Sequence, residues 1–264
     1  MKKAYGFVVL TAFLFGTMEV ACKVAGNQLD PFQLTFIRFA IGGLILLPFA
    51  TVELRKAKIR LTARDLLRLA GVGILGISLS MVFFQLGVSN SNASTASVLI
   101  SINPLFTMVF AHFFTSEKLN RHKFVVLGFG LMGLIFMIRP WDVQEGNTVI
   151  GIVYMLLAAI FFGAYTIAGK VSAQKLGIMA QTSISFILGS IVLLIMMLIM
   201  GKPVIAGVAD NLPLVAYISL FVTGLGYFSY FMAIKCSDAA TGSLAFFLKP
   251  AIAPVMAVIF LHET

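Results

Sequence analysis

Three ionisable residues stand inside long apolar runs: Glu19, Arg38 and Lys249. A Lys or Arg at the centre of a bilayer costs about 2.5–3.5 kcal/mol on insertion scales, so such a residue faces a partner or a polar cavity. Lys249 precedes Pro250, and Asn103 precedes Pro104. A proline removes the bond to the carbonyl four residues back, so both dipeptides mark expected helix breaks. Broken helices at corresponding positions of two halves point to a substrate site. In one reading Lys249 and Asn103 line a central cavity, with Lys249 attracting a carboxylate or phosphate. In the other, Lys249 is held in an ion pair with a carboxylate such as Glu19. Glu19 is in turn either a proton-coupling carboxylate or a permanently paired one. Its partners would be Lys23, four residues on, or Arg38, at similar depth across a turn near residues 28–29. The paired reading is preferred, because two cations are within reach. Gln85, Tyr227 and Tyr230 add an amide and two aromatic faces that could stack an aromatic or cationic ligand.

Other chemistries lack their parts. His112, His122 and His262 fall near the ends of apolar segments, with no HExxH pair and no Ser–His or Asp–Asp arrangement. No GxxxxGK[ST] loop is present, so nucleotide drive within the chain is not expected. The expectation is therefore no enzyme, no catalytic residue, no metal and no cofactor. Gly71-x-Gly73-x-x-Gly76 and Gly128-x-Gly130-x-x-Gly133 match a dinucleotide fingerprint in spacing, but neither follows a strand. Such glycines read instead as sites of close helix approach. Glu117 and Glu263 fall at segment ends and read as helix-terminating contacts. Cys22 and Cys236 fall near opposite faces of the expected membrane, beyond the reach of one disulfide.

The elements that position these residues follow from composition. The 264 residues are 60% hydrophobic and 11% charged, with mean hydropathy +1.02, which excludes a soluble globular domain. Nine segments are apolar enough to cross a bilayer: 5–24, 31–49, 66–88, 95–114, 124–138, 149–168, 181–200, 212–234 and 241–261. They take up roughly 180 residues at the length a bilayer demands, leaving no room for a soluble domain. Their apolar character is continuous rather than alternating, so helices are expected and a β-barrel is not. Lys2 and Lys3 before the first segment suggest a signal peptide, but Glu19, three residues before Cys22, is foreign to a cleavage site. The first segment is read as a retained helix. With the N-terminus in the cytoplasm, fourteen of the 19 Lys and Arg lie on that side and only Lys23, Arg139 and Lys202 on the other. The bias fixes the expected orientation in the cell (inner) membrane. The net charge of +9 then serves orientation and anionic lipid, and no nucleic-acid partner is expected.

The chain also repeats itself. Phe15-Gly16, Ala21 and Lys23-Val24 recur 147 residues later as Phe162-Gly163, Ala168 and Lys170-Val171. Ser91, Ala93, Thr95, Ser97 and Pro104 recur at an offset of 146 as Ser237, Ala239, Thr241, Ser243 and Pro250. A repeat of five helices is odd, so its second copy starts from the opposite face, which is the inverted-topology arrangement of alternating-access transporters. The expected units are residues 1–140 and 148–264. The arithmetic also expects a tenth helix, which the second copy lacks because one residue follows Glu263.

Together these features resemble the EamA family of the drug/metabolite transporter superfamily. The resemblance rests on the runs 104–117 and 250–263 closing the fourth and ninth helices, the paired Phe-Gly helices, and Arg38 a few residues after Pro31. It implies a ten-helix fold of two inverted five-helix repeats that moves small metabolites, amino acids or drugs by alternating access. The expected partners are a small-molecule substrate and the lipid bilayer. The alternative is a non-transporting membrane subunit or a lipid flippase of the same fold.

Overall fold

The computed structural model describes residues 2–117 and 146–261, with 121, 124, 125, 128, 129, 132 and 136 between them. Eight long apolar helices fill this range: α1 (Lys3–Gly26), α2 (Pro31–Lys56), α3 (Ala63–Ser89), α4 (Ala93–Phe114), α5 (Val149–Leu176), α6 (Ile178–Ile199), α7 (Ala209–Cys236) and α8 (Ala239–Leu261). They correspond to eight of the nine expected segments, and the described residues contain no strand. The remaining segment, 124–138, lies outside the described residues except at 124, 125, 128, 129, 132 and 136, which are helical. α5 runs eight residues beyond the apolar stretch that announces it, through Lys170 and Lys175. Long basic side chains can leave a membrane helix at its end and reach water.

Local chemistry sets the helix starts. The Asp30 side chain accepts from Phe32 N at 2.9 Å with Pro31 in the first turn of α2, a proline placement that sacrifices no helical hydrogen bond. Thr62 and Asp65 cap α3 reciprocally, Thr148 accepts from Gly151 N at 3.0 Å in α5, and Asp238 accepts from Thr241 N at 2.6 Å in α8. Each satisfies a backbone donor that has no partner within the helix. Between α5 and α6 the chain turns on Gly177 alone, at φ 92°, a conformation that a side chain would oppose.

Five of the eight helices are irregular, and each irregularity sits beside the polar centre. α1 breaks at Thr17, whose hydroxyl bonds the Leu14 carbonyl at 2.9 Å. α3 and α7 each contain an eight-residue π-helical stretch, Ile74–Met81 and Ile218–Leu225. One leads into Phe84 and Gln85, the other into Tyr227 and Tyr230. α4 breaks at Ser101 and Ile102, and α8 at Leu244. The breaks thus fall before the prolines rather than at them. Pro104 lies in the first turn of the second half of α4, and Pro250 lies within an unbroken stretch, Ala245–Leu261. The reason is geometric, since the proline ring disturbs the carbonyl four residues earlier. For Pro104 that residue is Ile100, the last before the break. For Pro250 it is Phe246, just after the break.

Small residues let the helices close. A Cβ on Gly73 would lie 2.7 Å from the Gly189 nitrogen in α6 and closer still to the Ser185 carbonyl, while Gly76 faces the Tyr165 ring. Gly71 has nothing within 4 Å, so two glycines of the first fingerprint-like run serve packing and one does not. Gly16 faces Ile252 of α8 and Gly163 faces Phe106 of α4, each with an added Cβ 2.8 Å from its neighbour. Side chains such as Phe13, Leu44, Phe49 and Ile195 remain more than half exposed on the outer faces. So much exposed apolar surface suits lipid contact.

Both ends of the bundle are tied by polar contacts. At one end, Lys202 meets Asp30 at 2.8 Å, Gln33 donates to the Ala206 carbonyl at 2.8 Å, and Asn211 donates to Gln28 at 2.7 Å. Lys23 donates to the Ser91 carbonyl at 2.5 Å and Thr148 to the Asn90 carbonyl at 2.8 Å at that same end. At the opposite end, Lys175 meets Asp65 at 2.5 Å, Lys170 pairs with Glu117, and Glu53 accepts from Ala180 N at 3.1 Å. That end also holds a cavity of about 490 Å³, bordered by Glu53, Lys170, Lys235 and Ser237 and reaching inward to Phe231.

Candidate functional site

The site is built from α1, α2, α3 and α8. Gly16, lacking a side chain, lets α1 and α8 touch at Ile252. One turn further along α1, and one turn back along α8, Glu19 and Lys249 then face each other. Lys249 Nζ donates to Glu19 Oε1 at 2.5 Å, and both side chains are fully buried. The sequence offered Lys23, Arg38 and Lys249 as partners for Glu19, and the structure pairs it with Lys249. Lys23 is drawn to the Ser91 carbonyl, and Arg38 points Nη1 at two sulfurs, Met18 Sδ at 3.5 Å and Cys22 Sγ at 3.6 Å. An i, i+4 spacing permits a contact, but Lys23 stands near the helix end, where a carbonyl competes. The ion pair of Lys249 with Glu19 is thus present.

Aromatic faces surround the charges. The Arg38 guanidinium lies 4.9 Å from the Phe39 ring centre and 5.7 Å from that of Phe84. Lys249 Nζ lies 5.3 Å from Phe246, 5.8 Å from Phe15 and 5.9 Å from Phe84. Phe84 therefore serves both cations, and such contacts gain strength where water is excluded. Its neighbour Gln85 donates to the Cys22 carbonyl at 3.2 Å and leaves its own Oε1 without a partner.

A second, uncharged polar group lies beyond an aromatic layer. Tyr230 OH lies 3.0 Å from Thr166 Oγ1 and 3.3 Å from Ser243 Oγ. Asn103 and Thr107 stand beside the same hydroxyl, joined to each other at 3.0 Å. Phe15, 5.1 Å from Tyr227 and 6.2 Å from Tyr230 between ring centres, belongs to the layer between the two groups. Tyr227 itself donates to Met81 Sδ at 3.1 Å. The structure thus brings Glu19, Lys249, Arg38 and Gln85 into one group, and Asn103 and Tyr230 into another. Met18, Cys22, Phe84, Phe246, Thr166 and Ser243 complete these groups, and sequence reasoning assigned none of them a place in the site. For Thr166 a signal existed, since it stands 147 residues after Glu19, in register with the Phe-Gly repeat. Glu117, read as a helix-terminating contact, stands three residues beyond the end of α4, and its Oε1 accepts from Ala239 N at 3.3 Å, at the start of α8. Glu263 lies outside the described residues. Among the described residues no group of three His, Cys, Asp or Glu side chains could hold a metal.

Eight apolar helices with charges buried at their centre define a multi-pass membrane protein. The chain belongs to the EamA-like transporter family, whose model matches residues 2–139 and 149–264. An uncharacterized transporter of Clostridium kluyveri is 38% identical across all of this chain and 87% of its own length. An S-adenosylmethionine uptake transporter of Rickettsia bellii is 28% identical over 71% of this chain and 62% of its own. A solved crystal structure at 17% identity superposes with a TM-score of 0.73, covering 100% of this chain and 91% of its own, and so shares the fold.

Proposed function

We propose that this protein is a secondary transporter that carries a small metabolite across the cell membrane by alternating access between two inverted five-helix repeats, 1–140 and 148–264, with its N-terminus in the cytoplasm. The observation that carries the reading is the fully buried Glu19–Lys249 pair with Arg38 beside it, where helices of both repeats meet. Buried charges at such depth are expensive and mark transport pathways. The two-repeat arrangement is supported by the matched contacts of Gly16 on α8 and Gly163 on α4. It is supported too by the opposed directions of α1 and α5, since α1 ends where α5 begins. Alternating access is supported by the cavity at one end, which reaches inward to Phe231. In this reading Lys249, Gln85, Asn103, Tyr227 and Tyr230 line the substrate path. Glu19 and Arg38 set its charge, and no covalent chemistry occurs.

The test is counterflow in proteoliposomes with radiolabelled amino acids and S-adenosylmethionine. Saturable exchange of an unaltered solute, lost in Lys249→Met, is the expected result. Flux no greater than in protein-free liposomes for every solute would reject the reading.

A further inference from the structure

Arg38 is the one cation of the polar centre with no carboxylate of its own. It lies in α2, two turns after Asp30, with no exposed surface. Lys170, Lys175, Lys202 and Lys249 each meet an acidic side chain. Arg38 meets two sulfurs, which are weak acceptors, through Nη1 alone, and its Nε and Nη2 have no partner. These two nitrogens form one edge of the guanidinium, the edge that takes a carboxylate with two parallel hydrogen bonds.

Charge counting leads to the same place. A guanidinium stays protonated in a protein. Glu19 and Lys249 sum to zero whether the proton rests on the amine or on the carboxyl. The centre therefore carries one net positive charge however that proton is shared. Water could satisfy the two N–H groups but not the charge. A monoanion neutralises the site, whereas a phosphate dianion would leave it negative. Two acceptors beside Arg38 are also without donors, Glu19 Oε2 and Gln85 Oε1. Gln85 is tied to the Cys22 carbonyl, and the Cys22 sulfur touches Arg38.

Building on the transport reading, we infer that Arg38, rather than Lys249, is the anchor for substrate. The substrate class is a small organic monocarboxylate, seated on the Nε–Nη2 edge between Phe39 and Phe84. A hydroxyl group on its adjacent carbon donates to Glu19 Oε2 or Gln85 Oε1, whereas an ammonium there would cancel the charge of the carboxylate. The Glu19–Lys249 pair adds no net charge and does not itself seat the carboxylate.

The experiment uses the full chain in detergent and in proteoliposomes. The probes are 2-hydroxy monocarboxylates, each compared with its primary amide and with the matching alcohol that lacks the carboxyl group. At least one acid should raise the thermal midpoint of the unsubstituted protein while its amide and alcohol do not. Arg38→Met should lose that shift while unfolding at the same or a higher temperature without ligand, because it removes an uncompensated charge. Arg38→Lys keeps the charge but not the edge, and its affinity should fall by about tenfold or more. The inference is overturned if no acid shifts the midpoint, if amide and acid act equally, or if the shift survives Arg38→Met. Counterflow separates this from the transport reading. Flux of solutes without a carboxylate, unchanged in Arg38→Met, removes the Arg38 site and keeps transport. A carboxylate-dependent shift with no flux keeps the site and removes transport.

Discussion

Gly16 meets Ile252 of α8, and 147 residues further on Gly163 meets Phe106 of α4. One turn beyond each glycine the two contacts carry different chemistry. After Gly16 comes Glu19, bonded to Lys249 at 2.5 Å. After Gly163 comes Thr166, bonded to Tyr230 at 3.0 Å, with Asn103 beside that tyrosine at the position that matches Lys249 in the repeat. The scaffold is repeated and the charge is not. Helix approach depends on small residues and tolerates little variation, so it persists in both halves. Charge in a dry interior is costly and stays only where something uses it. Comparing the two regions separates what the fold needs from what the site does.

The largest expected effect is on the charged side. Lys249→Met leaves Glu19 buried without its partner, and breaking a buried pair in this way costs about 3–5 kcal/mol. Denaturation in detergent should show that loss, together with loss of counterflow. The double variant Lys249→Met with Glu19→Gln removes both charges and should recover most of the stability but none of the flux. A double variant that transports would mean the pair is structural, and the two regions would then differ in chemistry without differing in role.

Much of this contrast could be read from the sequence. Eight of the nine apolar segments recur as helices, and Glu19, Arg38 and Lys249 stand out as ionisable groups at depths where such groups are costly. Pairing was harder. Spacing along one helix and depth across one hairpin suggested Lys23 and Arg38 for Glu19, the cost of a buried lysine suggested Lys249, and nothing local chose among the three. The true partner is 230 residues away, and the contact that brings it there, Gly16 on Ile252, is tertiary. The π-helical stretches in α3 and α7 were invisible for another reason. They are made of the same apolar residues as the helix around them, and hydropathy cannot sense a change of hydrogen-bond register. The prolines were seen, and the breaks lie earlier, because a proline acts on the turn before it.

A smaller effect is expected from the shared scaffold. Gly163→Ala would place a Cβ 2.8 Å from the Phe106 Cβ and 2.9 Å from the Thr107 backbone nitrogen. Gly16→Ala would meet only the Ile252 side chain, also at 2.8 Å. Overpacking of this kind costs about 1–3 kcal/mol. Gly163→Ala should be the more destabilising, since backbone yields less than a side chain. Gly16→Ala should nevertheless be the more damaging to counterflow, because it pushes Lys249 away from Glu19. Equal loss of flux in the two variants would erase the difference between the halves.

The smallest effect is expected at the uncharged counterpart of Glu19. Thr166→Val removes a hydroxyl bonded to the Phe162 carbonyl at 2.9 Å and to Tyr230. Tyr230 keeps Ser243 at 3.3 Å as a partner, so no buried hydroxyl is stranded and the cost should be about 0.5–1.5 kcal/mol. Transport should continue, with apparent affinity changed by a few-fold through the displaced Tyr230 hydroxyl. Glu19→Gln, tested alongside, should cost more in both stability and flux, because it leaves Lys249 as a second unpaired cation next to Arg38. If Thr166→Val instead abolishes counterflow as completely as Lys249→Met, the uncharged group is as much a part of the transport path as the charged one. The asymmetry between the halves would then lie in the sign of the substrate that each recognises rather than in whether each is used.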